Sequence, residues 1–510
     1  MTKGVAITTE RIRWKRAYIA VLAGAAILYV STCASGVVWQ DSGVIQYRVL
    51  HNDIEGRLGL ALSHPLYYSI AIAARHVPLG DPAYRVNVVT ALISAFAVAN
   101  LFLLLLLWLR SGFAALIGAL SLALSHTFWL HATLPETYNL TAALLFLELL
   151  ALLLYARSSD VKFLTMLAFI SGLSIANHML GVFGFACYAT ITGVLLRRRE
   201  IRIKHVAVMV FVWAVGAAPF LFLFVRHLLE THSLQATIAS AAFGEAWREN
   251  VLNTSISTQI VKENIMWFGL NFPTPNILLF FVGLGYVGQE ASRRWFAFVL
   301  WLLAAGFLIF AFRYTIVDRY AFFIPFYCMV SVFIAGGAHR LFQSRGRRWA
   351  GGLVLACCFL TIPVYVAAPD IAERMEISTR GRKVPYRDDY VYFLRPWRAG
   401  YDGAERFATE ALETTVPNAI ILADTTTSPP LLYVQEVRNI RPDVTVFSGI
   451  GNTSGVDDYS KKGLIEAISA GLVYVVSPLP GYCPAFILDD YAFEQAGVLY
   501  RVVPFALGGS

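Results

Sequence analysis

The chain of 510 residues contains eleven apolar segments, most of them about long enough to cross a bilayer as a helix. They lie at roughly 17–38, 86–109, 113–131, 138–156, 163–180, 181–196, 205–225, 274–289, 295–312, 320–341 and 350–368. Charged residues make up only 15% of the chain, whereas a soluble globular protein has about a quarter. The sequence therefore predicts a polytopic α-helical membrane protein with about eleven spans.

Basic residues fall in clusters between the apolar segments, and their placement predicts the orientation in the membrane. The clusters are Arg11–Arg16, Arg110, Arg157 with Lys162, Arg197–Lys204, Arg293–Arg294 and Arg340–Arg348. If the N-terminus is cytoplasmic, alternation of the spans puts nearly all of these clusters on the cytoplasmic side. The chain after about residue 368 is then extracytoplasmic. Clusters dispersed in this way do not form a face for nucleic acid, so none is expected as a partner.

The composition becomes that of a soluble protein in the last part of the chain, which predicts two domains, residues 1–368 and 369–510. Short β-type runs at 419–423, 444–447 and 472–477 alternate with helical patterns at 403–414 and 461–470. This alternation predicts a small extracytoplasmic α/β domain with a largely parallel sheet. Asp424, which ends a strand before a threonine-rich turn, is a weak candidate site residue and fits a loop cap better.

Asp41 follows the first apolar segment, within Trp39-Gln-Asp-Ser-Gly43, and emerges at the outer membrane surface. A signal-peptide cleavage site near Ser31–Ser35 is an alternative, but the apolar run is longer than a usual signal core. A carboxylate at the membrane surface is costly unless it has a use. Taken alone, Asp41 fits an interfacial helix cap as well as a catalytic role.

Polar residues at the outer ends of the other spans favour the catalytic role. They are His64, Arg75, Arg85, His126, His131, Glu136, Asn177, His178, Arg226, His227, Arg313, Asp318 and Arg319. No histidine pair has zinc-motif spacing, and the six cysteines fit small buried residues, so neither a metal nor a cofactor is predicted. The cytoplasmic ends of the spans carry few carboxylates or histidines. This difference between the two ends predicts an active site at the outer membrane surface.

The residue types suit transfer from a lipid-linked phosphate donor. Arginine or histidine can hold a phosphate at the bilayer surface, which points to Arg313 or Arg319 with His64 and His178 in support. A carboxylate can take the proton of a hydroxyl acceptor. One base is enough for inverting displacement at a sugar carbon, because the leaving group is already a phosphate. The alternative for Arg319 is a local ion pair with Asp318 that only orders the loop.

A series of motifs resembles one family of membrane glycosyltransferases. The motifs are Trp39–Gly43, Ser63-His-Pro65 with Tyr67, Gly80–Asn87, Ser125–Trp129, Glu136-Thr-Tyr138, Gly172–His178, Asp318-Arg-Tyr320, Pro429–Tyr433 and Arg441-Pro-Asp443. In this order they resemble the GT-C membrane O-mannosyltransferase family related to transmembrane protein 260. The resemblance implies a polyprenyl-phosphate sugar donor, a protein or glycan acceptor outside the cytoplasm, and a catalytic aspartate that Asp41 matches.

One position departs from the family pattern. Members usually carry glutamate after Asp-Ser-Gly, and this chain has Val44. Asp53 or Glu55 could substitute for that glutamate, and a scaffold that has lost activity is a further possibility. A polytopic transporter or flippase of lipid-linked sugars is the main alternative to an enzyme, although the sequence lacks the internal repeats typical of transporters.

Overall fold

The computed structural model describes residues 2–78, 80–289, 294–316, 318–343, 350–378, 382–450 and 461–505. The predicted basic clusters at Arg293 and at Arg345–Arg348 lie outside the described residues.

Helices account for most of the chain up to residue 374. They are α1 Thr2–Thr32, α2 Gln40–Leu50, α3 Pro65–Arg75, α4 Pro82–Leu109, α5 Gly112–Ala123, α6 His126–Ala132, α7 Tyr138–Ser158, α8 Val161–Asn177, α9 Gly181–Arg197, α10 Ile203–Thr231, α11 Leu234–Phe243, α12 Arg248–Leu252, α13 Thr258–Asn271, α14 Leu278–Gln289, α15 Arg294–Arg313, α16 Ile324–Phe342, α17 Ala350–Phe359 and α18 Thr361–Arg374. Short 3-10 turns lie at 60–62, 275–277 and 319–323. Each of the predicted apolar segments overlaps one of these helices, which confirms a polytopic helical membrane protein.

The number of spans is smaller than the sequence predicts. Among the described residues, six helical stretches are long and apolar enough to cross a membrane, or up to eight if each of two bent helix pairs is one span. The α5–α6 pair bends by 69°, and α13 bends by 108° against the helix from Pro275 to Val287. Helices α8 and α9 have 17 residues each and fall short of the same criterion. The prediction of eleven treated every apolar run as a span, whatever its helical length or bend.

Helix α8 packs closely against α10 through a pair of glycines. A Cβ on Gly172 would lie 2.2 Å from the carbonyl oxygen of Trp213, and one on Gly216 would lie 2.3 Å from that of Phe169. Only residues without a side chain let the two backbones approach this closely, as small residues do between membrane helices. The contact fixes α8, whose C-terminal residue is Asn177.

The C-terminal region is a mixed α/β structure. Its helices and strands are α19 Asp389–Leu394, α20 Gly403–Thr414, β1 Ile420–Asp424, α21 Ser428–Arg438, β2 Thr445–Ile450, α22 Lys461–Ser469, β3 Val473–Val475, α23 Ala485–Asp490, β4 Tyr491–Ala496 and β5 Leu499–Pro504. The strand order is β2-β1-β3-β5-β4, with β2-β1-β3 parallel and the rest antiparallel. The three predicted strands and both predicted helices are confirmed, but the β4–β5 hairpin was missed because β4 is mostly half-buried and lacks an apolar alternation.

The core of the C-terminal region includes residues of the first loop. Trp39 is 1% exposed, its ring packs against Phe407 with centroids 5.3 Å apart, and its indole N–H donates to the Tyr401 hydroxyl at 2.5 Å. Val37 belongs to the same apolar cluster. Helix α1 ends at Thr32, so Val37 lies under the α/β region and not in the membrane segment predicted for it. All six cysteines are free and buried, as expected of small core residues.

Candidate active site

Asp41 lies in the first turn of α2, at a point where the backbone is tightly constrained. Gln40 has a positive φ of 59°, and its N–H donates to the carbonyl oxygen of Thr426 at 3.3 Å. A Cβ on Gly43 would lie 2.3 Å from the carbonyl oxygen of Val38 and 3.0 Å from Cβ of Pro429. The Asp-Ser-Gly turn therefore needs glycine, and the C-terminal region holds it in place.

The Asp41 side chain is exposed, yet protein atoms surround it closely enough to hinder its ionisation. These two properties place the carboxylate in a water-accessible recess and not on an open surface. The surrounding protein raises the pKa of Asp41, because a charge is less well solvated there than in bulk water. A carboxylate with a raised pKa is a better proton acceptor than an ordinary surface aspartate.

Two further carboxylates lie within electrostatic range of Asp41. Glu136 Oε1 accepts a hydrogen bond from Ser42 Oγ at 2.9 Å, so Glu136 is attached to the same motif as Asp41. Burial, and then the charge of Asp41, raises the pKa of Glu136 well above its ordinary value. Burial and the Asp41 charge likewise raise the pKa of Asp318 to about 7. Because like charges oppose each other's ionisation, the three groups titrate as a coupled set.

Asn177 and Tyr67 support the segment that carries Glu136. Asn177 Nδ2 donates to the carbonyl oxygen of Thr137 at 3.1 Å and to Thr141 Oγ1 at 2.9 Å. The Tyr67 hydroxyl shares a hydrogen bond of 2.6 Å with Thr90 Oγ1, and burial raises the pKa of this hydroxyl, with the charge of Glu136 adding to the effect. Asn177 thus holds the segment that carries Glu136, and Tyr67 lies within electrostatic range of that carboxylate.

His64 and His178 stack on each other, with ring centroids 4.8 Å apart and planes at 27°. His64 precedes α3 and its Nδ1 lies 2.8 Å from the carbonyl oxygen of Asn177. Burial, and to a smaller extent the charge of Arg48, lowers the pKa of His64 to about 4. The bond to Asn177 acts in the opposite direction and raises the pKa, but by less than burial lowers it. His64 is therefore uncharged at neutral pH.

The two arginines predicted to hold phosphate are bonded within the protein. Arg313 Nη1 donates to the carbonyl oxygens of Val251 and Asn253, the latter at 2.7 Å. Arg319 is 4% exposed and its Nη2 lies 2.6 Å from Glu263 Oε2, on α13. The sequence suggested Asp318 as the alternative partner of Arg319; in the structure α13 brings Glu263, distant in sequence, into an ion pair with Arg319.

The residues suggested as substitutes for a glutamate at position 44 are bonded elsewhere. Asp53 Oδ2 lies 3.3 Å from Arg48 Nε and its Oδ1 accepts the Gly56 N–H at 2.8 Å. Glu55 forms an ion pair with Arg226. Glu136, bonded to Ser42, is instead the second carboxylate that contacts the motif.

Three aromatic rings that the sequence did not single out as site residues line the site. Tyr138 and Tyr320 occur only as parts of the motifs, and Trp267 occurs in none of them. Tyr138 packs against His178 with centroids 5.3 Å apart. Tyr320 stacks on Trp267 at 5.1 Å. The charges of Asp318 and Glu136 act on both tyrosines. The sequence feature that could have identified the two tyrosines is their closeness to predicted polar residues, in Glu136-Thr-Tyr138 and Asp318-Arg-Tyr320.

Within the described part of the chain, no group of three His, Cys, Asp or Glu side chains is arranged to hold a metal ion. Asp424 Oδ1 accepts hydrogen bonds from the N–H groups of Thr426 and Thr427 at 3.1 and 2.9 Å, and Oδ2 lies 2.8 Å from Arg382. This is the geometry of a turn cap.

The fold is similar over nearly its whole length to that of ArnT from Cupriavidus metallidurans. The apo crystal structure matches with a TM-score of 0.60 at 13% identity and covers 98% of each chain. The structure bound to undecaprenyl phosphate gives 0.58 at 14% identity, covering 97% of this chain and 98% of that one. The archaeal oligosaccharyltransferase AglB from Archaeoglobus fulgidus, in complex with an inhibitory peptide and a dolichol-phosphate, gives only 0.43 at 12% identity, covering 85% of this chain and 65% of that one. The chain therefore has an ArnT-like fold.

Residues 61–202 match the sequence model of one family, described as the protein O-mannosyl-transferase TMEM260 N-terminal domain. The resemblance predicted from the motifs is thereby confirmed over this segment, together with the prediction of a glycosyltransferase. The segment contains His64, Tyr67, Glu136, Asn177 and His178, whereas Asp41 precedes it. No curated protein matches the chain.

Proposed function

We propose that the protein transfers a hexose from a polyprenyl-phosphate donor to a hydroxyl of an extracytoplasmic protein or glycan. Mannose is the proposed hexose. Asp41 is the proposed base. The observation that carries the proposal is the position of Asp41: it is an accessible carboxylate beside Ser42, which donates to Glu136 at 2.9 Å, and its charge acts on both Glu136 and Asp318. The similar fold of ArnT, which has been crystallised with undecaprenyl phosphate, supports a lipid-phosphate donor.

The proposed reaction is a single displacement. Asp41 takes the proton of the acceptor hydroxyl as its oxygen forms a bond to the anomeric carbon. The bond between that carbon and the donor phosphate oxygen breaks, and the lipid phosphate leaves as an anion. Attack on the face opposite the phosphate inverts the anomeric centre.

The same proposal includes the orientation in the membrane. The N-terminus is cytoplasmic and residues 369–510 are an extracytoplasmic domain that braces the first loop, while residues 1–368 form the catalytic membrane part. Basic residues such as Arg110, Arg157 and Arg197–Arg199 support this orientation. A phosphatase fused to the C-terminus should be active there, and a reporter that fluoresces only in the cytoplasm should stay dark. The reverse pattern overturns the orientation.

The deciding experiment uses membranes that contain the protein and radiolabelled polyprenyl-phosphate mannose. We expect label on protein or glycan with the wild type, and a loss of about a hundredfold or more with Asp41→Asn, which keeps the shape but removes the base. Asp490→Asn, at an exposed aspartate on α23, is the matched control and should not change the rate.

Two outcomes contradict the proposal. Near-normal transfer by Asp41→Asn at equal abundance removes Asp41 as the base. Movement of the labelled lipid between leaflets of proteoliposomes, without transfer to any acceptor, supports the flippase alternative instead.

A further inference from the structure

The stacked pair His64–His178 has two ring nitrogens that the protein itself does not use. His64 Nδ1 and His178 Nδ1 each contact a backbone group. Neither Nε2 has a hydrogen-bond partner among the described residues, and neither is a sealed buried atom. His178 as a whole is only 8% exposed. Two accessible ring nitrogens without a protein partner, in a pair of rings that is otherwise largely enclosed, point to a ligand.

Backbone contacts assign a different tautomer to each ring. The carbonyl oxygen of Asn177, 2.8 Å from His64 Nδ1, only accepts, so Nδ1 carries the proton and Nε2 has a free lone pair. The N–H of Leu180 donates to His178 Nδ1 at 3.1 Å, so in that neutral ring Nε2 carries the proton. The pair therefore presents one acceptor and one donor from adjacent rings.

The pair lies next to the predicted reaction centre. Tyr138, whose ring packs on His178, is two residues from Glu136. Asn177, which accepts from His64, also donates to the carbonyl oxygen of Thr137. Both histidines are thus linked through one contact to the segment that carries the Glu136 carboxylate.

An acceptor beside a donor matches a sugar hydroxyl or two neighbouring hydroxyls, since a hydroxyl both donates and accepts. It does not match a phosphate, which offers only acceptors and is repelled by the lone pair of an uncharged His64. We propose that His64 and His178 bind hydroxyls of the transferred hexose and so determine which sugar is accepted. This inference rests on the proposed function and replaces the phosphate role predicted for the two histidines.

Two substitutions at His64 separate sugar binding from a structural role. His64→Asn keeps a donor for the Asn177 carbonyl but loses the Nε2 acceptor. His64→Gln places an amide near the Nε2 position but loses the bond to Asn177. If His64 binds sugar, Gln retains more activity than Asn. If it only orders the loop, Asn is the better replacement. His76→Phe, at an exposed histidine that follows α3, is the control.

The measurement compares polyprenyl-phosphate mannose with analogues that lack one hydroxyl. For at least one of these analogues, the kcat/KM of the wild type should be lower than that for mannose by tenfold or more. His64→Asn and His178→Phe should each lower kcat/KM for mannose by about tenfold to a hundredfold and abolish that preference. An unchanged preference in both variants overturns the inference and leaves the proposed function intact.

A binding measurement covers the case in which no transfer is seen and the proposed function fails. Thermal shifts of the purified protein are recorded with polyprenyl phosphate and with polyprenyl-phosphate mannose. We expect the two histidine variants to lose the extra shift caused by the sugar while keeping the shift caused by the lipid phosphate. Loss of the lipid-phosphate shift itself, or retention of the sugar increment, contradicts the inference.

Discussion

Ser42 donates a hydrogen bond to Glu136 across 2.9 Å and so joins the Asp41 motif to the loop before α7. Burial, and then the charge of Asp41, holds the pKa of Glu136 well above its ordinary value and so favours the protonated form. Glu136→Gln keeps an oxygen that can accept from Ser42 and resembles the form that the raised pKa favours, so we expect it to lower kcat by less than about tenfold. Glu136→Leu leaves Ser42 without an acceptor and should cost more.

Rates per folded molecule test this ranking, with Asp41→Asn measured in parallel. A Glu136→Gln variant as inactive as Asp41→Asn would show that Glu136 works as a charged base, against the direction of its pKa shift.

Asp318 should set the pH at which the enzyme becomes active. Burial, and then the charge of Asp41, raises the pKa of Asp318 to about 7, and two like charges this close oppose each other's ionisation. As pH falls, the base is protonated and the rate declines. Asp318→Asn removes the opposing charge, so the acidic limb of the kcat/KM profile should move to lower pH by about one unit. An unmoved limb, or a shift to higher pH, argues against the coupling; Asp490→Asn should leave the limb in place.

The same carboxyl should make stability depend on pH. Between its ordinary value of 3.8 and about 7, folded Asp318 keeps a proton that the unfolded chain has lost. Stability therefore falls as pH rises through this range and then levels off. We expect the Tm of the wild type to drop between pH 5 and 8 and that of Asp318→Asn to drop less. Equal slopes for the two proteins would refute the shift.

Arg319 and Glu263 should behave as one unit in stability. Their 2.6 Å ion pair is largely buried, and loss of one partner leaves an uncompensated charge at a cost of about 3–5 kcal/mol. Arg319→Ala and Glu263→Ala should each lower the Tm, and the double variant should lose less than the sum of the two. Donor titrations of the folded variants are the second measurement. A raised donor KM with an unchanged Tm for Arg319→Lys would support the phosphate role predicted from the sequence.

Gly172, at the contact between α8 and α10, should not tolerate a side chain. Gly172→Ala places a methyl group 2.2 Å from the Trp213 carbonyl oxygen and should destabilise the protein by about 1–3 kcal/mol. Gly193→Ala is the matched control, because nothing lies within 4 Å of a Cβ at that helical position. The fraction that stays monodisperse on heating reports the difference. Equal stability of the two variants would show that α8 and α10 separate readily.

The sequence predicted the helices and the parallel strands well because both depend on local apolar patterns. It predicted the pairing partners poorly. The sequence offered only Asp318, its neighbour in the chain, as an alternative partner of Arg319, whereas Arg319 also pairs with Glu263, which lies 56 positions away on α13. The tautomers of His64 and His178 depend on the carbonyl of Asn177 and the N–H of Leu180, which no spacing rule reveals. Local patterns specify elements, whereas the site depends on contacts made only after the helices pack.

The indole of Trp39 and the hydroxyl of Tyr401 are separated by 362 positions in sequence. Tyr433 adds a second such link, since its hydroxyl donates to Asp81 at 2.6 Å. Every candidate membrane span found among the described residues ends by Arg374, before Tyr401 and Tyr433 are synthesised. A premature stop codon after Arg374 and before Tyr401 would thus yield a protein that keeps these candidate spans and still lacks the support of the Asp41 turn.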